Sequence, residues 1–103
     1  MKIIFILASI LAATKSFPKQ NCVEIDTDYK GKDIKTIHNV PDWHTCAKYC
    51  EDMRGCAKWT WVHPNFKRIP SARLECLLKS GARTLVYKEE HLVSGIKSVK
   101  CQF

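Results

Sequence analysis

Apolar side chains recur at helical spacing in one stretch near the middle of the chain: Trp43, Ala47, Cys50 and Met53. This period predicts a helix with one buried stripe. Asp42 stands before the stripe and can accept a hydrogen bond from the free N–H groups of a first turn. Gly55 follows it and supplies the left-handed backbone at which helices often end. The pattern therefore predicts a helix over residues 42–54.

Shorter apolar runs on both sides of this helix predict β-strands. The run at 57–62 is β-branched and aromatic and suits a central strand, with Trp59 and Trp61 on one face, where we expect core packing rather than a ligand-stacking platform. The other predicted strands span 22–26, 34–39, 74–78, 84–87 and 93–101, with glycine turns at Gly31 and Gly81. One helix on a small antiparallel sheet is the result, an α+β fold.

The N-terminus carries a different pattern. Lys2 precedes an apolar run over residues 3–13, and small residues follow at Thr14 and Ser16, which is the order of regions in a secretory signal peptide. The run is too short for a membrane span, although a retained membrane anchor is the alternative. We therefore predict a secreted, extracellular protein with three parts: a signal peptide over 1–16, a short lead over 17–21 and one domain over 22–101.

All six cysteines lie within the predicted domain. Small secreted domains commonly add disulfides to a marginal core, so three bridges are predicted. Cys46 and Cys50 share a helical face, but their Cβ atoms would lie about 5–6 Å apart, whereas a disulfide needs about 3.8 Å. The pairings without this bond stay open. A zinc site with His44 and His63 is the alternative use of these thiols.

The chain is basic, with 17 Lys+Arg, 10 Asp+Glu and a formal net charge of +7, and the loss of Lys2 and Lys15 with the signal peptide lowers this charge to +5. The best functional candidates are cations on the proline-bounded loop 63–73 and around Gly81: Lys67, Arg68, Arg73, Lys79 and Arg83. Such a cluster attracts sulfated or acidic polymers through a salt-dependent field. A solvated, solubilising surface is the alternative interpretation.

Other chemistry is disfavoured by the residues present. The segment from Asp26 to Gly31 begins like a calcium loop, but Lys30 and Ile37 occupy positions that need oxygen ligands. The chain has no Gly-x-Ser-x-Gly elbow, and paired cysteines leave no thiol nucleophile. We therefore predict no enzyme activity, no metal and no cofactor, and export argues against a nucleic-acid partner.

Several motifs then occur together along residues 22–101. Cys46, Cys50 and Cys56 have three and five residues between them, and Trp59 and Trp61 follow. Further motifs lie around this centre: Cys22, Asp28-Tyr29-x-Gly31-x-Asp33-Ile34, Cys76-Leu77-Leu78-Lys79-Ser80 and Cys101. In this combination the chain resembles the PAN/apple domain family.

The resemblance implies a disulfide-stapled domain with one helix on a curled antiparallel sheet, and three bridges: Cys22–Cys101, Cys46–Cys76 and Cys50–Cys56. It also implies a non-enzymatic, extracellular module that binds carbohydrates or proteins. Recognition of an extracellular carbohydrate or glycoconjugate is the first hypothesis for this chain. A protein-directed effector, such as an adhesion blocker or an inhibitor, is the alternative. The oligomeric state is left open.

Overall fold

The computed structural model describes residues 22–97, without the side chains of residues 82–84. Three strands, one helix and a 3-10 turn follow in the order β1 (Val23–Ile37), α1 (Trp43–Asp52), β2 (Lys58–Val62), the turn (Pro70–Ala72) and β3 (Cys76–Ile96). The predicted signal peptide, the predicted lead and Cys101 lie outside the described residues.

The helix confirms the prediction with slightly shorter ends. Asp42 is the N-cap, and its Oδ1 accepts from the backbone N–H of Thr45 at 2.8 Å, which satisfies one of the free donors of the first turn. Gly55 has a φ of +91°, a value that suits glycine better than any side chain. The buried stripe of α1 carries Cys46 and Cys50.

Strands β1 and β3 form one long antiparallel ribbon. Their register runs from Val23 opposite Gly95 to Ile37 opposite Cys76, with three irregularities along the way. The predicted division of these segments into shorter strands separated by glycine turns is therefore wrong. Gly31 lies inside β1, where an added Cβ would come within 2.5 Å of the Lys58 side chain. Gly31 therefore permits the close approach of the Lys58 side chain to β1, and it does not form a turn.

The ribbon curls so that both ends of β3 flank β2. Trp59 lies opposite Leu78 on one side and opposite Gly95 on the other. Residue numbers along β3 fall as those along β2 rise in both pairings, which is the antiparallel sense. Strand β2 is therefore central, as predicted, and the helix lies on one face of a small antiparallel sheet.

Two of the predicted disulfides are present in the described residues. Cys46 on α1 bonds to Cys76 at the start of β3, and Cys50 bonds to Cys56 beyond the helix. The first ties the helix to the sheet, and the second closes the segment that leads from the helix to β2. Cys22 is also disulfide-bonded, and its predicted partner Cys101 lies outside the described residues.

The main core lies between the helix and the sheet. Trp59 and Trp61 are buried there, as predicted, together with the disulfide cysteines. Trp61 Nε1 donates to the backbone oxygen of Val40 at 2.8 Å, so its polar atom is satisfied inside the core. Trp43 stacks on Trp59 with ring centroids 5.9 Å apart. These tryptophans therefore serve as scaffold residues. Within residues 22–97 we find no helix long and apolar enough to span a membrane.

Candidate functional site

The opposite face of the sheet, which we call the polar face, is covered by part of the β1–β3 ribbon. Residues 27–30 and 85–88 pair with each other, and we call these two segments the crossover ribbon. Beneath it, Lys58 and Thr60 of β2 are only 1% and 0% exposed. A lysine and a threonine are thus interior residues, although alternate positions of the same strand carry tryptophan.

A chain of hydrogen bonds joins the crossover ribbon to the sheet through Ser94. The Ser94 hydroxyl donates to the backbone oxygen of Thr27 at 2.8 Å and accepts from the backbone N–H of Tyr29 at 3.0 Å. Its contact with Thr60 Oγ1 is 2.7 Å. Thr60 Oγ1 also lies 3.5 Å from Asp28 Oδ1, which can accept its proton, so either hydroxyl can be the donor between Thr60 and Ser94. The two hydroxyls therefore join Thr27, Tyr29 and Asp28 of the crossover ribbon to β2 and β3.

Asp28 and Lys79 form a buried ion pair at the same level. Lys79 Nζ lies 3.4 Å from Asp28 Oδ1 and donates to the backbone oxygen of Tyr29 at 2.6 Å. Lys30 approaches the second carboxylate oxygen of Asp28 at 3.2 Å from the solvent side. Lys79 is 3% exposed. It was predicted as a surface ligand contact, but the structure places it in the interior, where it holds the crossover ribbon.

Lys58 is the second buried cation of the polar face. Its Nζ donates to the backbone oxygen of Gly81 at 3.4 Å. Burial lowers the pKa of Lys58, and the positive charge of Lys79 lowers it further, since both effects disfavour the charged form. Lys58 was not among the residues predicted from the sequence. The available signal was a lysine in phase with Thr60 and out of phase with the two tryptophans.

Tyr29 closes the end of the network. Its hydroxyl donates to Glu24 Oε1, and the residue is buried, with 3% of its surface exposed. Burial raises the pKa of the Tyr29 hydroxyl, and the hydrogen bond and negative charge of Glu24 raise it further. This hydroxyl consequently stays protonated in the folded protein well beyond neutral pH.

A cleft of about 350 Å³ opens between the crossover ribbon and the loop 63–73. Its apolar lining includes Val62, Phe66, Ile69, Leu77 and Leu92. Its charged lining has both signs: Asp28, Asp33, Lys30, Arg68 and Lys79. The cleft is therefore an apolar surface edged by hydrogen-bond donors and acceptors, which is the usual composition of a small-ligand site.

A family model for the PAN domain matches residues 27–79 of this chain. The match begins in the crossover ribbon and ends at the buried lysine that holds it, and it includes α1 and β2. The chain belongs to the PAN domain family. A search among curated proteins returns no match for the chain. PAN domains are generally non-catalytic modules that bind proteins or carbohydrates.

The cations that the sequence singled out occupy different environments in this PAN domain. Arg68 lines the cleft and makes two contacts with the Glu89 carboxylate, Nε to Oε2 at 3.2 Å and Nη2 to Oε1 at 3.4 Å. Arg73 donates through Nε to the backbone oxygen of Phe66. Lys67 is exposed. The side chain of Arg83 lies outside the description.

The predicted cations therefore do not form one exposed basic surface among the side chains that the structure describes. Of the four cations whose side chains are described, Lys79 is interior, Arg68 is paired with a carboxylate and Arg73 supports the loop backbone. Of these four, only Arg68 and Lys79 line the cleft, and Lys30 and two aspartates line it with them. The PAN domain thus presents a cleft of mixed charge beside the predicted basic loop.

Proposed function

We propose that this PAN domain is an extracellular, non-enzymatic binding module whose cleft recognises a short segment of an uncharged carbohydrate or glycoconjugate. One observation carries the proposal. The cleft combines an apolar lining with charged groups of both signs, held by the crossover ribbon on one side and by the loop 63–73 on the other. Sugar rings present an apolar face and hydroxyls that both donate and accept hydrogen bonds, and this cleft can satisfy both kinds of surface.

The charges of the cleft favour an uncharged ligand over a polyanion. Lys79 and Lys30 both contact the Asp28 carboxylate, and Arg68 contacts the carboxylate of Glu89. A sulfated chain would have to displace Glu89 and would still face Asp33. The hydroxyl groups of a neutral sugar can instead donate to Asp33 and accept from Lys30. Because these hydroxyls carry no charge, neither contact places like charges side by side.

The size of the cleft favours a small ligand over a broad protein surface. Small-molecule sites occupy about 300–1,000 Å³, and this cleft lies at the lower end of that range. A specific protein interface buries more than about 1,000 Å² and is flatter. The occupant we propose is therefore one or two sugar units of a longer chain.

The extracellular setting is supported by the cysteines. The structure pairs Cys46 with Cys76 and Cys50 with Cys56, and such bonds persist in oxidising compartments. The N-terminal pattern that predicts a signal peptide over residues 1–16 agrees with this setting. We therefore expect the ligand to be a cell-surface, matrix or secreted glycan.

A glycan array with the disulfide-intact protein, read at 50 mM and at 500 mM salt, tests the proposal. We expect binding to a neutral glycan that changes little with salt, because no counterions are released. Asp33→Asn and Arg68→Gln should each weaken it about tenfold, a loss of about 1.4 kcal/mol. Lys48→Gln is the matched control, because it breaks an exposed ion pair with Asp52 on the opposite face, and it should bind normally.

The same experiment separates the alternatives. Binding only to sulfated glycans, lost at high salt and on changing Lys67 and Arg73 to Ala with Arg68 kept, would reject the cleft in favour of the basic loop, because Arg68 belongs to both surfaces. An empty array together with salt-resistant, one-to-one binding to a protein would reject carbohydrate recognition in favour of a protein-directed effector.

A further inference from the structure

Three consecutive residues of the crossover ribbon expose apolar surface. Leu85, Val86 and Tyr87 of β3 are 49%, 51% and 51% exposed. Neighbouring residues of a strand point to opposite sides, so both sides of this segment are apolar. Single exposed apolar residues are ordinary, but a contiguous apolar patch marks an interaction surface.

The same segment has an open main-chain edge. Strand β2 pairs with β3 only at residues 76–79 and 92–96, and residues 85–88 pair with β1 alone among the described residues. Their second edge therefore presents peptide groups to which no strand of the described chain is bonded. Open edges of this kind are templates for pairing with another strand.

The edge strand β1 differs from this segment because it carries exposed lysines. It carries Lys30, Lys32 and Lys35 along its exposed stretch, and lysines on an edge oppose the approach of another strand. Residues 85–87 carry no charge of their own, and Lys30 Nζ lies over the Tyr87 ring at 5.8 Å from its centroid. One edge of the domain is thus protected against strand addition, whereas the other is open to it.

We propose that the edge at residues 85–87 pairs antiparallel with the same edge of a second copy of this chain, giving a two-fold symmetric dimer centred on Val86. An antiparallel pair of identical segments is self-complementary, as a two-fold interface requires. The main-chain groups of one copy supply what those of the other copy need. The dimer extends the crossover ribbon from two strands to four.

The residue pattern selects this register. Centring on Val86 places Val86 opposite itself and Leu85 opposite Tyr87 of the second copy, so every cross-strand pair among residues 85–87 is apolar, and Lys88 lies opposite position 84, a threonine. The same register places position 83, an arginine, opposite Glu89, a residue of opposite charge whose carboxylate also contacts Arg68 of its own copy. Centring the pair on Tyr87 would instead place Val86 opposite Lys88 and Leu85 opposite Glu89. A second copy therefore fits this edge in one specific alignment.

Sedimentation equilibrium of the disulfide-intact protein, from micromolar to millimolar concentration, tests the proposal. We expect a reversible monomer–dimer equilibrium. Val86→Lys places two lysines face to face at the two-fold axis and should raise the dissociation constant at least about tenfold. Tyr49→Lys is the control, because Tyr49 is 42% exposed on α1 and has no strand edge, and it should dimerise normally.

A cysteine at the axis tests the register. Directly opposed residues of an antiparallel pair have Cα atoms about 4.5–5.5 Å apart, which lies within the range of a disulfide. Val86→Cys should therefore give a covalent dimer on mild oxidation with Cys50–Cys56 intact, whereas Tyr87→Cys should not. A monomer at every concentration, or dimerisation that Val86→Lys leaves unchanged, would overturn the proposal. Equal cross-linking of the two cysteine variants would overturn the register.

Discussion

The two faces of β2 differ in the chemistry of their contacts, although successive residues of this five-residue strand alternate between them. Trp59 and Trp61 point to the helix and pack among disulfide sulfurs and aliphatic side chains. Lys58 and Thr60 lie on the other face and are equally buried, but Thr60 contacts Asp28 of the crossover ribbon and Lys58 contacts Gly81 through polar atoms. One strand thus separates an apolar core from a polar interior.

The difference between the faces lies in what each tolerates. Apolar packing is non-directional, and its stabilisation grows with the area removed from water. A buried polar group costs free energy unless each donor and acceptor finds a partner at a defined distance. The apolar face therefore holds the fold, whereas the polar face fixes the position of the crossover ribbon and of the cleft beside it.

The largest expected effect is the loss of Trp59. Trp59→Ala removes the largest side chain of the apolar face and leaves a cavity under the helix, which should lower the free energy of unfolding by about 3–5 kcal/mol. Urea denaturation of the disulfide-intact protein measures this change. Trp43→Ala, at a half-buried ring stacked on the same tryptophan, is the control and should cost less. An equal cost at both positions would contradict the view that the strand residue anchors the face.

The next effect tests the ion pair of the polar face. Asp28→Asn leaves Lys79 buried without its counter-charge and should lower the free energy of unfolding by about 3 kcal/mol. The double variant with Lys79→Met should cost less than the sum of the two single changes, because the charges are lost together. Asp52→Asn, in the exposed pair with Lys48, should cost less than about 1 kcal/mol. Additive costs at Asp28 and Lys79 would argue against a coupled buried pair.

The apolar face was largely predictable from the sequence, whereas the polar face was not. The period of α1, the cap at Asp42 and the common face of Trp59 and Trp61 follow from local spacing. The bridges Cys46–Cys76 and Cys50–Cys56 needed the resemblance to the PAN/apple family. Each of these features depends on residues close in the chain or on a known cysteine pattern.

The polar face depends on a crossing of distant segments, which local spacing does not encode. Lysines are mostly solvated, so Lys79 was assigned to the surface, and Lys58 was not singled out. Gly31 was interpreted as a turn, although the position needs a small residue because β1 passes over the Lys58 side chain. The cleft was missed for the same reason, since its lining comes from β1, the loop 63–73 and β3.

A smaller effect isolates the hydroxyl of Thr60. Thr60→Val keeps the shape of the side chain and removes its bond to Ser94, so we expect a loss of about 1 kcal/mol in the free energy of unfolding. Thr36→Val makes the same change at an exposed position of β1 and should be nearly neutral. Hydrogen exchange at the Tyr29 amide, which donates to Ser94, should quicken in the first variant only. Unchanged hydrogen exchange at the Tyr29 amide in Thr60→Val would show that Thr60 does not support this network.

The smallest effect at neutral pH concerns the Tyr29 hydroxyl, which changes the free energy of unfolding only at alkaline pH. Because the pKa of Tyr29 is raised in the folded protein above its ordinary value of 10.0, the unfolded chain loses this proton first as the pH passes 10. The folded state then binds more protons than the unfolded state, and stability falls with rising pH by up to about 1.4 kcal/mol per pH unit. Tyr29→Phe should remove this part of the slope between pH 10 and 11.5 in urea denaturation. Glu24→Gln should reduce it only in part, because burial contributes more than Glu24 does. A slope that survives Tyr29→Phe unchanged would mean that the crossover ribbon admits solvent to this hydroxyl, and that the polar face is less tightly closed than the face of the tryptophans.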